Sequence, residues 1–200
     1  MFHIGGVFMT DSVSQQGKSL FTVRELVIIP LMAVLMAVFS WISVPMEVPF
    51  TLQTFAVFCA CMLIGGKNSF FTVIVYMMLG AIGLPVFSGF KSGLGVLLGP
   101  TGGYIIGFVF IALIFRAAEL IKTDSRAVYY AVRVAALILG TAVCYSFGTA
   151  WFIHVYAGQG KAFTVAEAMK LCVSPFVVAD LVKMAAAVLL SDKLKKYVKI

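Results

Sequence analysis

The chain has 200 residues, of which 62% are hydrophobic and only 12% are charged. This composition excludes an ordinary soluble domain and is typical of an integral membrane protein. The formal net charge of +7 would favour a nucleic-acid partner in a soluble chain. Basic residues at membrane borders account for the charge here, so we expect a lipid bilayer as partner and no nucleic acid.

About 20 apolar residues are needed for each membrane crossing, and the length of the chain allows six. We predict an all-α integral membrane protein with six transmembrane helices in one compact bundle. A polar N-terminal tail covers residues 1–25, in which either Met1 or Met9 is the start, and a basic cytoplasmic tail covers 191–200. The six-helix membrane domain is residues 26–190, with predicted spans over 26–44, 50–65, 70–83, 101–121, 127–153 and 175–190.

The first span contains Ala33 and Ala37, a small-xxx-small pattern that lets another helix approach closely. From this pattern alone, packing inside the bundle is favoured over docking of a partner. The segment 65–69 is predicted to be a tight turn with one positive charge, and the segment 157–170 a short polar loop. A phosphate-binding loop is not expected before Lys67, because Cys61 and Asn68 occupy the positions of its first glycine and its Ser or Thr.

The stretch between the third and fourth spans, residues 84–104, is too rich in Gly and Pro for a transmembrane helix. Irregular backbone at membrane depth persists only where it is buried in protein or lines a wet cavity. We therefore predict that this stretch lines a polar cavity.

Basic residues are distributed unequally between the two sides that six spans would create. Eleven lie on the side of the termini, and only Lys91, Lys161 and Lys170 lie on the other side. By the positive-inside bias, both termini are cytoplasmic and the Gly-rich stretch faces the exterior.

Two charged residues, Asp180 and Lys183, lie inside the sixth span. Each is expensive at membrane depth, so each is a candidate for function, and the i, i+3 spacing places them on one helix face where they can pair. One interpretation is a self-neutralised pair that fixes helix packing. The favoured interpretation is a polar site for a small amphipathic ligand, with apolar walls that strengthen its contacts.

Other chemistry has little support in the sequence. His3 and His154 have no metal-ligand partner at helical spacing, and the four cysteines lie in apolar runs, so we expect neither a metal site nor a cofactor. A polytopic membrane enzyme that uses Asp180 and Lys183 as acid and base is an alternative. It lacks a nucleophile–base pair or a second nearby carboxylate, so we expect no enzyme activity and no catalytic residue.

Four segments together resemble the motif set of the BioY family, the biotin-binding S components of energy-coupling factor (ECF) transporters. They are Val48-Pro-Phe-Thr-Leu-Gln-Thr54, Leu79-Gly-Ala-Ile-Gly-Leu-Pro-Val86, Gly99-Pro-Thr-Gly-Gly-Tyr104 and Asp180-Leu-Val-Lys183. The resemblance covers residues 26–190 and implies a multi-pass protein of a prokaryotic plasma membrane. Such a protein captures biotin from outside, while a separate transmembrane coupling protein and two ATPase subunits drive its import.

The resemblance also implies roles for individual residues. Asp180 and Lys183 would recognise the vitamin, and Ala33 and Ala37 would dock the coupling protein. The other implied ligand-binding residues are Ser88, Gly89 and Lys91 in the external loop, and Gln53 and Tyr104 on the cavity wall.

The segment 87–92 is bulkier and more charged than the family pattern, so Lys91 either meets the ligand carboxylate or points to solvent. The remaining alternatives are a solitary biotin transporter, an S component for another vitamin, and a scaffold or sensor without transport.

Overall fold

The computed structural model of the chain describes residues 21–46, 48–194 and 197. Seven α-helices are described: α1 (Val23–Trp41), α2 (Gln53–Ala81), α3 (Leu94–Leu97), α4 (Gly102–Ala118), α5 (Arg126–Gly158), α6 (Val165–Cys172) and α7 (Ser174–Leu194). A short antiparallel ribbon of β1 (Ser43–Val44) and β2 (Phe50–Thr51) joins α1 to α2. The predicted tails lie mostly outside the described residues.

The membrane character of the chain is evident from its helices. Four of them, α1, α2, α5 and α7, are long and apolar enough to cross a membrane, and α4 is a shorter apolar helix. The predicted all-helical membrane domain is therefore confirmed in its class, with the two-residue strands of the ribbon as a small addition.

Local signals set where α1 begins. Thr22 and Glu25 form a capping box, in which the Glu25 amide donates to Thr22 Oγ1 at 3.2 Å and the Thr22 amide donates to Glu25 Oε2 at 2.8 Å. The helix therefore starts at Val23, three residues before the predicted span, and it contains Pro30.

The predicted second and third spans are the two halves of α2, which is broken at Gly65 (φ 79°, ψ 164°). Both halves reach the same end of α1. At the start of α2, the Leu52 amide donates to Ile42 O at 3.2 Å. Near its end, the Tyr76 hydroxyl donates to Val86 O, which also accepts from Ser40.

An unbroken helix would separate residues 53 and 76 by roughly 34 Å, so the chain must reverse direction at Gly65. The predicted turn over 65–69 is thus corrected to a single residue, because Gly66 to Ser69 are already helical.

Two further expectations are corrected by the structure. The segment 157–170, predicted as a loop, contains most of α6, which starts at a second capping box formed by Thr164 and Glu167. The Ala33 and Ala37 side chains, expected to dock a coupling protein, are 0% and 4% exposed and belong to the hydrophobic core. The docking expectation is wrong for this arrangement, because the small residues serve close packing inside the bundle.

Candidate functional site

A cavity at one end of the bundle has about 980 Å³ of empty space, counted together with its opening. Its walls come from the ribbon, the start of α2, the loop before α3, and helices α4, α5 and α7. Six of the predicted ligand-binding residues line it: Gln53, Ser88, Lys91, Tyr104, Asp180 and Lys183. Gly89 is exposed and lies outside the lining formed by the described residues.

The centre of the site is the ion pair of α7. Lys183 Nζ lies 2.7 Å from Asp180 Oδ1, and the two side chains are only 8% and 4% exposed. The i, i+3 spacing thus produces the pairing predicted from the sequence. A buried ion pair persists only when further hydrogen bonds satisfy its remaining donors and acceptors.

The Lys183 ammonium group is fully satisfied by the protein. Besides Asp180, it donates to the carbonyl oxygen of Thr51 at 2.8 Å and to the hydroxyl of Thr54 at 3.1 Å. Its nitrogen also lies 4.3 Å from the centre of the Phe50 ring. Since an ammonium group has three protons, none remains for a ligand unless the ligand replaces one of these acceptors.

The Asp180 carboxylate accepts three hydrogen bonds. Thr54 Oγ1 donates to Oδ1 at 2.8 Å, Lys183 donates to the same oxygen, and the Tyr145 hydroxyl donates to Oδ2 at 2.6 Å. A carboxylate offers about four lone-pair sites. One acceptor site therefore remains, on Oδ2, and it is available to an N–H group of a ligand.

Thr54 and Tyr145 are the functional candidates that sequence reasoning missed. Thr54 closes one of the quoted motifs, and its hydroxyl accepts from Lys183 while it donates to Asp180. Tyr145 lies near the middle of the predicted fifth span, away from the membrane borders where Tyr is common. That position was the signal that a polar partner is buried beside it.

Tyr104 also lines the cavity and is 8% exposed. Its hydroxyl lies 3.0 Å from Thr149 Oγ1, so a hydrogen bond between these two side chains joins α4 and α5. Residue 148 must be Gly, because a Cβ atom there would lie only 2.3 Å from the Tyr104 ring. Close approach of the two helices is what places this ring at the wall.

The loop that carries Ser88 and Lys91 lies at an exposed side of the cavity. The loop is held by the Trp41 indole N–H, which donates to Pro85 O at 2.8 Å, and by a stack of the Trp41 and Phe90 rings with centres 5.0 Å apart. Lys91 is exposed and lines the cavity at the same time. From this place the Lys91 ammonium group can reach either a ligand carboxylate in the cavity or the solvent.

Among the described residues, no cluster of three or more His, Cys, Asp or Glu side chains is placed to hold a metal ion. The four cysteines are all buried.

Comparison with known proteins places this site in a family context. A profile of the BioY family matches residues 11–200. The chain is 39% identical over 175 residues to "Biotin transporter BioY" of Thermotoga maritima, which spans 86% of this chain and 96% of that protein. It is 38% identical over 176 residues to "Probable biotin transporter BioY" of Pyrococcus horikoshii, with the same two coverages of 86% and 96%.

A solved structure agrees with the fold. The crystal structure of an S-component for biotin from an ECF-type ABC transporter superposes with a TM-score of 0.73 at 25% identity, covering 87% of this chain and 92% of the other.

Proposed function

This chain belongs to the BioY family, and on that premise we propose that it is the biotin-binding S component of an ECF-type vitamin uptake transporter. The observation that carries the proposal is the buried Asp180–Lys183 pair on the wall of a cavity. Pockets for small ligands commonly combine apolar walls with a few fixed polar groups.

The chemistry of the cavity fits the chemistry of biotin. Biotin combines an apolar ring body with a cyclic ureido group and a carboxylate. The free acceptor site on Asp180 Oδ2 suits a ureido N–H, and the Lys91 ammonium group at the opening suits the carboxylate. Lys183 then acts by holding the Asp180 carboxylate in position rather than by donating to the ligand.

The finer parts of the proposal concern the whole transporter. We place the chain in a prokaryotic plasma membrane as a multi-pass protein with six spans and both termini cytoplasmic. A transmembrane coupling protein and two ATPase subunits complete the system and drive import. Docking through Ala33 and Ala37 is not part of this proposal, since both side chains are buried.

The test is equilibrium binding of labelled biotin to the detergent-purified chain. Asp180→Asn and Lys183→Ala are compared with Asp124→Asn and Lys193→Ala, which change the same residue types at exposed positions. We expect tight binding that collapses in the first two variants and persists in the controls, with the ligand recovered chemically unaltered. No binding by the folded wild-type chain would overturn the biotin assignment, and binding that survives both site variants would reduce the pair to a packing device.

A further inference from the structure

The side chain of Gln53 is the unusual polar group of the cavity. It is only 5% exposed, and its Nε2 atom is buried without a hydrogen-bond partner in the part of the chain that the structure describes. Buried donors in native proteins nearly always form a hydrogen bond, because a buried donor without an acceptor costs free energy. An unpaired amide on a cavity wall therefore points to a partner that is not part of the protein.

Its position puts it at the polar end of the cavity. Gln53 is the first residue of α2, and its backbone amide donates to Thr51 Oγ1 at 3.2 Å. The neighbouring Thr51 and Thr54 are the residues that hold the Lys183 ammonium group. The unpaired amide and the free acceptor site of Asp180 thus belong to the same end.

Several of the other donors on the cavity wall already have acceptors. The Tyr145 and Thr54 hydroxyls donate to Asp180, the Thr141 hydroxyl donates to Leu137 O, and the Lys183 protons are all used. A carbonyl oxygen of a ligand at this end would find an uncommitted donor in Gln53 Nε2.

Resting on the proposed function, we infer that Gln53 recognises the carbonyl edge of the ureido ring. In a cyclic urea the N–H and C=O groups lie side by side on one edge, and a primary carboxamide carries a matching acceptor and donor. Nε2 donates to the ureido oxygen, and Oε1 accepts from the adjacent N–H. The second ureido N–H is left for Asp180 Oδ2, so every polar group of the ring acquires a partner. Gln53 is thereby a determinant of specificity.

The test compares two ligands and two substitutions. Dissociation constants are measured for biotin and for the analogue in which sulfur replaces the ureido oxygen. The proteins are the wild type, Gln53→Leu, Gln53→Met as a second apolar variant, and Gln159→Leu as a matched control at an exposed glutamine. Sulfur accepts hydrogen bonds weakly, so the loss of affinity for the analogue measures the hydrogen bond that Nε2 donates to the ureido oxygen.

We expect Gln53→Leu and Gln53→Met to weaken biotin binding by about 10- to 100-fold, with no effect of Gln159→Leu. The preference of the wild type for biotin over the sulfur analogue should fall to less than about twofold in both variants. The midpoint temperature of thermal unfolding without ligand should be unchanged or higher in both variants, because an unpaired buried donor has been removed.

Two results would overturn the inference. One is biotin binding in both variants within about threefold of the wild type, since the loss of the two proposed hydrogen bonds weakens binding more than that. The other is an equal loss for both ligands with the preference retained, which would make Gln53 a residue that only shapes the cavity. Failure of the wild type itself to bind biotin is a separate outcome and refutes the proposed function.

Discussion

The behaviour of Asp180 depends on residues far from it in sequence. Thr54 and Tyr145, which donate to its carboxylate, lie 126 and 35 positions away. A carboxylate in an apolar wall is tolerated only when such partners replace the water it has lost. The site is therefore a network of four side chains from α2, α5 and α7 rather than a pair on one helix.

Removal of the Tyr145 hydroxyl tests how much that network contributes to the stability of the fold. In Tyr145→Phe the ring is kept, but Asp180 Oδ2 loses a donor at 2.6 Å. Hydrogen bonds to charged groups are worth about 1.5–3 kcal/mol, so the midpoint of thermal unfolding should fall by roughly 3–12 °C. The measurement is thermal unfolding in detergent, with Tyr197→Phe, a change at an 83% exposed tyrosine, as the control. Equal midpoints for the two variants would contradict a stabilising role of this hydroxyl.

Among the helices, α2 has the least usual backbone, because it reverses at one glycine. The first amide after the break, Gly66 N–H, donates to Glu119 Oε1 at 3.1 Å. Glu119 is also paired with Arg116 at 3.2 Å and with Arg133 at 3.6 Å. One carboxylate from the end of α4 therefore caps the second half of α2 and anchors two neighbouring helices.

A methyl group at position 66 should disrupt this junction. A Cβ atom there would lie 2.5 Å from the backbone nitrogen of Arg116, and backbone of a packed helix cannot move aside cheaply. Overpacking of this kind costs about 1–3 kcal/mol, so Gly66→Ala should lower the unfolding midpoint by roughly 2–12 °C. Gly95→Ala is the control, because a Cβ at that position meets nothing within 4 Å. A variant as stable as the control would show that α2 and α4 are packed loosely here.

The short helix α6 should depend on pH through its capping box. Hydrogen bonds from the backbone amide and the hydroxyl of Thr164 lower the pKa of Glu167 below its ordinary value of 4.5. A lowered pKa in the folded state means that the cap stabilises fully above pH 4.5 and loses its effect as the pH falls through the folded-state pKa.

Hydrogen exchange of the amides in residues 165–172 measures this effect. The difference in protection between the wild type and Glu167→Ala should be present at neutral pH and decrease as the pH is lowered from 4.5 through the folded-state pKa, once the exchange rates are corrected for pH. A difference that persists at acidic pH would show that the charge of Glu167 does not matter to the cap.

Across the whole molecule, charged contacts gather at the end opposite the cavity opening. Lys67 pairs with Glu25 at 3.3 Å, and Glu119 receives Arg116 and Arg133 at the break of α2. Basic residues concentrated at one end predict that this end is cytoplasmic and that the cavity opens outward.

Cysteine labelling tests this orientation. Ser92 and Ser125 are both exposed, and the four cysteines of the chain are buried, so background reaction should be small. A membrane-impermeant maleimide should label Ser92→Cys in intact cells and Ser125→Cys only after permeabilisation. The reverse pattern would overturn the predicted topology.

Several features of the protein follow from local sequence alone. Hydropathy indicates a membrane protein because every span must bury apolar side chains in lipid. The i, i+3 spacing of Asp180 and Lys183 fixes their pairing because both lie on one turn of the same helix. The capping pattern that begins α6 is equally local, since Thr164 and Glu167 are three residues apart.

Only the tertiary structure decided which faces of the helices pack against one another. An apolar helix such as α1 has no polar side to orient it in lipid, so the sequence could not tell whether Ala33 and Ala37 face the core or a partner. Likewise, nothing local to Asp180 indicates that Thr54 and Tyr145 complete its hydrogen bonds, or that Gln53 is left with an unpaired amide beside them. Those relations depend on how the helices rotate and pack against one another, and packing is a property of the folded bundle and not of any single segment.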